Sequence, residues 1–269
     1  MSDAGPTPAG KWADLRTRLL SAIVMVAVGA TEIWLGGTAF AALVIALTAL
    51  MIWELAGMTA PWRQASPQMI AAAAGVALAL ALVLRSELAA LFLVVPSLIF
   101  LLTRRRDRRL AAAYGFAIML AGYGLVDLRQ GAGTSAIIWL VAVVVASDVL
   151  GYFVGRMVGG PKFWERISPK KTWSGTIAGW VGAALVGLVY LRLGHGTWVV
   201  VPLSALVAFA GQMGDITESW VKRRAGVKDA SNLIPGHGGV LDRFDALIGA
   251  VVAVLVLGLI FPLSTVLGG

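Results

Sequence analysis

Residues 19–57 read LLSAIVMVAVGATEIWLGGTAFAALVIALTALMIWELAG. Two apolar runs, 19–36 and 38–57, meet at Gly36-Gly37. Crossing a bilayer takes roughly 20 apolar residues, within a range of about 17–25. Each run is therefore long enough to span, and the glycine pair predicts a tight hairpin between two membrane helices. The same ruler finds seven further runs along the chain: 68–84, 87–102, 110–126, 134–155, 175–193, 197–218 and 244–266. The expected fold is an all-α, polytopic integral membrane helical bundle of about nine transmembrane helices. Its parts are a polar N-terminal tail (1–18), N-terminal membrane helices (19–126) and a C-terminal membrane region (127–269). The first ten or so tail residues are expected to be disordered. The run after them lacks a small-x-small cleavage site, which favours a retained helix over a signal peptide.

Composition agrees with this class. Of 269 residues 59% are hydrophobic and 13% charged, with mean hydropathy +0.85, against about 25% charge in a soluble domain. The chain has no cysteine, which excludes thiol catalysis, thiolate metal sites and disulfides, and its two histidines are too few for a multi-histidine zinc site. The net charge of +8 fits cytoplasmic loops and anionic headgroups rather than nucleic acid. With nine spans and the N-terminus inside, only Arg85, Arg129 and Arg192 of the 22 lysines and arginines fall outside. The positive-inside rule then orients the chain N-in and C-out. The arginines within 104–109 read as a topology anchor that also attracts anionic lipid, and Trp12, Trp62 and Trp198 as interfacial anchors.

Carboxylates inside apolar runs are costly and so are functional candidates. Glu32 and Glu54 lie near span ends and are expected to reach water. Asp148 sits mid-run and needs a partner or a cavity. Asp215 and Ser219, four apart, project from one helix face, which Glu218 can share. Lys222 and Arg223 follow one turn later. A face of hard oxygen donors running into cations suits Mg²⁺ beside a polyphosphate, although a helix-end ion pair would also explain Asp215.

The stretch 219–245, SWVKRRAGVKDASNLIPGHGGVLDRFD, concentrates five basic residues, three aspartates and His237. Asp242 and Asp245 begin the last helix. Capping explains one of them, and a Mg²⁺ site shared with Asp215 explains both. The irregular loop Pro235-Gly-His-Gly-Gly239 would present amide N–H groups to phosphate, with His237 either touching substrate or bracing the turn. Ser168-Pro-Lys-Lys-Thr-Trp-Ser-Gly175 is expected as a second inner loop. There Lys170 and Lys171 can pair with phosphate, Thr172 and Ser174 offer hydroxyls or an N-cap, and Trp173 can stack on a base or anchor at the interface.

The pattern of 219–245 resembles the signature of the phosphatidate cytidylyltransferases, or CDP-diglyceride synthetases. The matching positions are Ser219, Lys222, Arg223, Lys228, Asp229, Ser231, Pro235, His237, Gly238, Gly239, Asp242, Arg243 and Asp245. Ser168–Gly175 and Ser147–Arg156 are similar to the same family. The resemblance implies transfer of the cytidylyl group of CTP to phosphatidate, giving CDP-diacylglycerol and pyrophosphate. It also implies a homodimer with its site facing the cytoplasm, in the inner or plasma membrane. The expected catalytic residues are Asp215, Asp242, Lys222, Arg223 and His237. Lys170, Lys171, Ser174, Ser219, Lys228, Asp229, Gly238, Gly239 and Arg243 are expected to bind substrate. Asp215, Asp242 and Asp245 would hold Mg²⁺, with room for a second cation. The rival readings are another membrane lipid-phosphate transferase and an ion-coupled transporter. The D-G-x-x-A-R motif of CDP-alcohol phosphotransferases is absent from the sequence, and no repeat with matched broken helices is visible.

Overall fold

A computed structural model describes residues 8–60, 66–84 and 89–268. It contains helices α1 (Pro8–Leu35), α2 (Gly37–Thr59), α3 (Pro67–Leu84), α4 (Ala89–Leu102), α5 (Arg108–Gly131) and α6 (Gly133–Val158). Strands β1 (Lys162–Trp164) and β2 (Ser168–Thr172) follow, then α7 (Trp173–Arg192), α8 (Val200–Ala225), α9 (Leu241–Gly258) and the short α10 (Leu263–Leu267). Trp62, Arg63 and Arg85 lie outside the described residues, as do residues 1–7 of the expected tail. From Pro8 onward the tail is helical. Proline suits a first helical position because its missing N–H would be unpaired there in any case.

Among the described residues, seven helices (α1–α3 and α5–α8) are long and apolar enough to cross a membrane. α4 is shorter, at 14 residues, and contains Pro96. α9 has 18 residues and carries Asp242, Arg243 and Asp245 in its first five. The chain is therefore a polytopic, almost wholly helical membrane protein. Beside the helices of the expected all-α bundle lies one short antiparallel β1–β2 ribbon, which pairs Lys162 with Thr172 and Trp164 with Ser168. It replaces the expected loop at Ser168–Gly175. The N-cap reading of Thr172 holds: its Oγ1 accepts the Gly175 N–H at 3.3 Å.

At the first helix break Gly36 and Gly37 take φ of +64° and +55°, which glycine adopts without strain. α2–α5 pack as one group and α6–α9 as another, joined through α5 and α9. Lipid tails are as apolar as leucine, so helix association here needs close backbone approach. Gly175 on α7 meets Gly151 and Gly155 of α6, and Gly214 on α8 meets Gly249 of α9. A Cβ on Gly175 or Gly214 would fall within 3 Å of facing backbone atoms. Ile52, Leu55, Leu78, Phe100, Ile118 and Trp139 fill the interior. The Trp139 indole is satisfied by Ser204 Oγ at 2.9 Å.

One end of the bundle gathers the chemistry-bearing segments. Arg106 N–H donates to Thr59 O at 3.1 Å, joining the ends of α2 and α5. Arg224, at the end of α8, forms a bidentate pair with Asp107 through bonds of 2.7 and 3.1 Å. Arg105 is more than a topology anchor. It donates to Ala56 O (2.7 Å) and Thr103 Oγ1 (2.8 Å) and lies 5.0 Å over the Phe100 ring, buckling α4 to α2. Its partial burial lowers its pKa from the ordinary guanidinium value.

Candidate active site

A cavity of about 780 Å³ lies among α6, the ribbon, α7, α8 and the start of α9. Four cations line it: Arg156 at the end of α6 and Lys162, Lys170 and Lys171 on the ribbon. Four carboxylates line it as well: Asp148, Asp215, Asp242 and Asp245, from three different helices. Gln212 organises the wall between them. Its Nε2 donates to Ser147 Oγ (3.2 Å) and Thr176 O (3.3 Å), and its Oε1 accepts from Trp180 Nε1 (3.0 Å). One buried amide thus ties α6, α7 and α8 together.

Asp215 is ion-paired with Lys171, and both side chains remain partly exposed. Ser219 Oγ reaches Asp215 Oδ1 at 3.4 Å, as the four-residue spacing predicts. Among the described residues, Asp245 Oδ1 accepts only its neighbour's N–H, from Ala246 at 2.7 Å. Asp148 makes no hydrogen bond or ion pair among the described residues. Asp242 is the most engaged. It accepts from Lys222 Nζ (2.7 Å), Gly239 N–H (2.7 Å) and Ala230 N–H (3.0 Å). Lys222 also pairs with the fully buried Glu218 at 2.5 Å.

The cavity thus brings together Lys170, Lys171, Asp215, Asp242 and Asp245 among the residues expected from the sequence. Lys222 faces inward, held between Glu218 and Asp242, and does not line the cavity. Arg223, Lys228 and Asp229 are exposed outside it, and the half-buried Ser219 does not line it. Ser174 does not itself line the cavity; its Oγ donates to Gly159 O at 2.5 Å. His237 braces the turn through its backbone. Its N–H donates to Ile234 O (2.9 Å), and its carbonyl accepts from Arg243 Nε (3.0 Å).

The Gly-rich loop also departs from expectation. Gly236 and Gly238 take φ of +76° and +85°, as a sharp turn requires. However, the amides entering α9 are already engaged. Gly239 N–H donates to Asp242, and those of Val240 and Leu241 donate to Glu54. They do not form an open phosphate cradle. Glu54, expected to reach water, is 2% exposed and belongs to this loop. The sequence reading also missed Arg156, Lys162 and Gln212. Arg156 closes the Ser147–Arg156 stretch, a usable signal, whereas nothing local singles out Lys162.

Among the described residues no three His, Asp or Glu side chains form a ready metal cage. Mg²⁺ needs none, because it commonly takes one or two carboxylates, keeps waters and binds substrate phosphates. The donor set fits such an ion. Asp215, Asp242 and Asp245 all face the cavity. An ionised carboxylate has about four acceptor positions, and Asp242 uses three donors. Acidic donors opposite four cations can seat a polyphosphate together with its cation.

These features are those of a membrane protein with a cavity that can accommodate phosphate groups. Residues 16–261 match the model of the cytidylyltransferase family, and the chain belongs to that family. It is similar to the phosphatidate cytidylyltransferase of Brucella abortus biovar 1, with 37% identity over 94% of this chain and 97% of the relative. It is 35% identical to the enzyme of that name from Pseudomonas aeruginosa, over 88% of this chain and 94% of the relative. The Helicobacter pylori (strain 26695) enzyme matches at 40% over 47% of this chain and 48% of its own length.

Proposed function

We propose that the protein transfers the cytidylyl group of CTP to phosphatidate, giving CDP-diacylglycerol and pyrophosphate for phospholipid synthesis. The observation that carries this reading is the cavity itself, in which four cations face four carboxylates at one end of an apolar bundle. A phosphate oxygen of phosphatidate bonds to the α-phosphorus of CTP as the α–β bridging P–O bond breaks and pyrophosphate leaves. The nucleophile is already anionic, so positioning and charge neutralisation do most of the work. Lys170, Lys171, Arg156 and Lys162 hold phosphates. Asp215 and Asp242, with Asp245, would hold Mg²⁺, which when bound offsets charge on the phosphate oxygens. Arg223 and Lys228 stand where they can meet headgroups at the membrane surface. Formation of CDP-diacylglycerol by purified protein, dependent on both CTP and phosphatidate, tests the reading. Absence of product with both substrates would refute it.

The chain is further proposed to cross the inner or plasma membrane nine times, N-in and C-out, as a homodimer with the cavity facing the cytoplasm. Helices underlie all nine apolar runs, and the basic residues favour this orientation. Single cysteines, one replacing Arg166 near the ribbon turn and one appended after Gly269, should react with an impermeant thiol reagent from opposite sides. Labelling of both from one side would refute the count.

The remaining exposed arginines of the 104–109 cluster are outside the cavity. An Arg108→Gln/Arg109→Gln double variant should keep kcat/KM for CTP within about threefold, because exposed pairs are worth only about 0–1 kcal/mol. A tenfold loss would move this cluster into the site.

A further inference from the structure

α9 begins without a cap of its own. Val240 occupies its N-cap position and offers no side-chain acceptor, although the first helical N–H groups need partners. Glu54 supplies them from α2, 186 residues before Val240 in the sequence. Its Oε1 accepts the Val240 N–H at 2.9 Å, and its Oε2 accepts the Leu241 N–H at 2.6 Å. Ser231 Oγ donates to the same Oε1 at 2.6 Å. Glu54 is 2% exposed, so this carboxylate is committed to the loop rather than to water. No side chain fits between the two: a Cβ on Gly239 would fall within 3 Å of both Glu54 oxygens.

We infer that Glu54 is a positioning residue for the transfer reaction, a remote N-cap that fixes where Asp242 faces the cavity. The path is short. Glu54 holds Val240 and Leu241, and Asp242 is the next residue. Asp242 in turn takes the N–H groups of Gly239 and Ala230, while Ser231, beside Ala230, returns to Glu54. The two carboxylates thus lock both ends of the 230–241 loop. A negative group at a helix N-terminus is also favoured by the helix dipole. The first half of the chain therefore contributes to the site through α2, although it lines none of the cavity. The inference rests on the assignment of Asp242 to the reaction.

The test uses full-length protein in detergent, with CDP-diacylglycerol formation and backbone hydrogen exchange measured side by side. Glu54→Gln keeps the shape but gives one amide partner a donor instead of an acceptor. It should lower kcat about 10- to 100-fold, with KM for CTP changed less than about threefold. Exchange should accelerate in peptides covering 229–241 and stay unchanged in α3 and α7. Ser231→Ala, which removes one bond and leaves the cap, should fall between wild type and Glu54→Gln. It also serves if Glu54→Gln fails to fold. Glu54→Asp should recover part of the rate, because the charge returns. Wild-type kcat in Glu54→Gln, local loosening without loss of rate, or faster exchange across every helix would each overturn the inference. The last result would mark Glu54 as a general packing residue. Asp242→Asn supplies the control: full activity there would show that the site assignment, not the cap, has failed.

Discussion

Asp215→Asn should reduce turnover by about 10²–10³-fold, the usual cost of losing one preorganised electrostatic contact in a transition state. Asp215 holds little of the fold together. Its charged partner is Lys171, itself a cavity residue, and both are partly exposed. An ion pair of that kind contributes only about 0–1 kcal/mol to folding, so the variant should stay folded and inserted. Asparagine keeps the size and one acceptor oxygen but loses the charge that a hard cation requires. Asp242→Asn should lose as much activity but also loosen the loop, since it leaves Lys222 with one carboxylate fewer. Glu32→Gln, at the other end of the bundle, should stay near wild type. The measurement is steady-state CDP-diacylglycerol formation per folded protein. Activity within about threefold of wild type in Asp215→Asn would remove this carboxylate from the mechanism.

Most of the helical framework is legible in the sequence because lipid imposes a simple rule: a spanning backbone must satisfy its own hydrogen bonds over a fixed thickness. The apolar runs 38–57, 68–84 and 134–155 became Gly37–Thr59, Pro67–Leu84 and Gly133–Val158. The rule fails where helices leave the apolar layer. α8 continues through Lys222, Arg223 and Arg224, whose charges suit a helix C-terminus. The last run breaks before Pro262, because a residue preceding proline disfavours the helical region. The β1–β2 ribbon is too short and too basic to carry a period-2 apolar signal.

The candidate site was legible where geometry is local. Asp215 with Ser219 and the Asp242/Asp245 pair follow from helical spacing, and Lys170 and Lys171 from their charge. What could not be read is which charges face inward. Lys222 and Lys171 look alike in sequence, yet one is locked between Glu218 and Asp242 and the other lines the cavity. Glu54 was misread for a related reason. Proximity to a span end suggests water, and only the fold reveals that α9 lacks a cap at that spot. Arg156 from the end of α6 and Lys162 from β1 line the same cavity as Lys170 of β2, an arrangement set by tertiary contact rather than by spacing.

Lys222 yields the second large effect, and it separates the two readings of this residue. Its ammonium sits between Glu218, with 0% side-chain exposure, and Asp242, with 6%. Lys222→Met removes the only cation paired with these two carboxylates among the described residues. Breaking a buried ion pair by deleting one partner costs about 3–5 kcal/mol, because the remaining charge is left uncompensated. The variant should therefore melt at a clearly lower temperature in detergent and lose active protein. The KM for CTP of the surviving fraction should stay within about threefold. Removing the opposing charge as well, in Lys222→Met/Glu218→Met, should restore much of the lost stability, since an apolar replacement of a whole buried pair is often close to neutral. Asp242 keeps its two backbone donors in that double variant. The expectation that Lys222 is a catalytic residue predicts the reverse: unchanged melting, a kcat/KM lowered about ten- to hundredfold, and no benefit from the Glu218 change. That second pattern would place the Lys222 ammonium on substrate and require the loop to open when substrate binds.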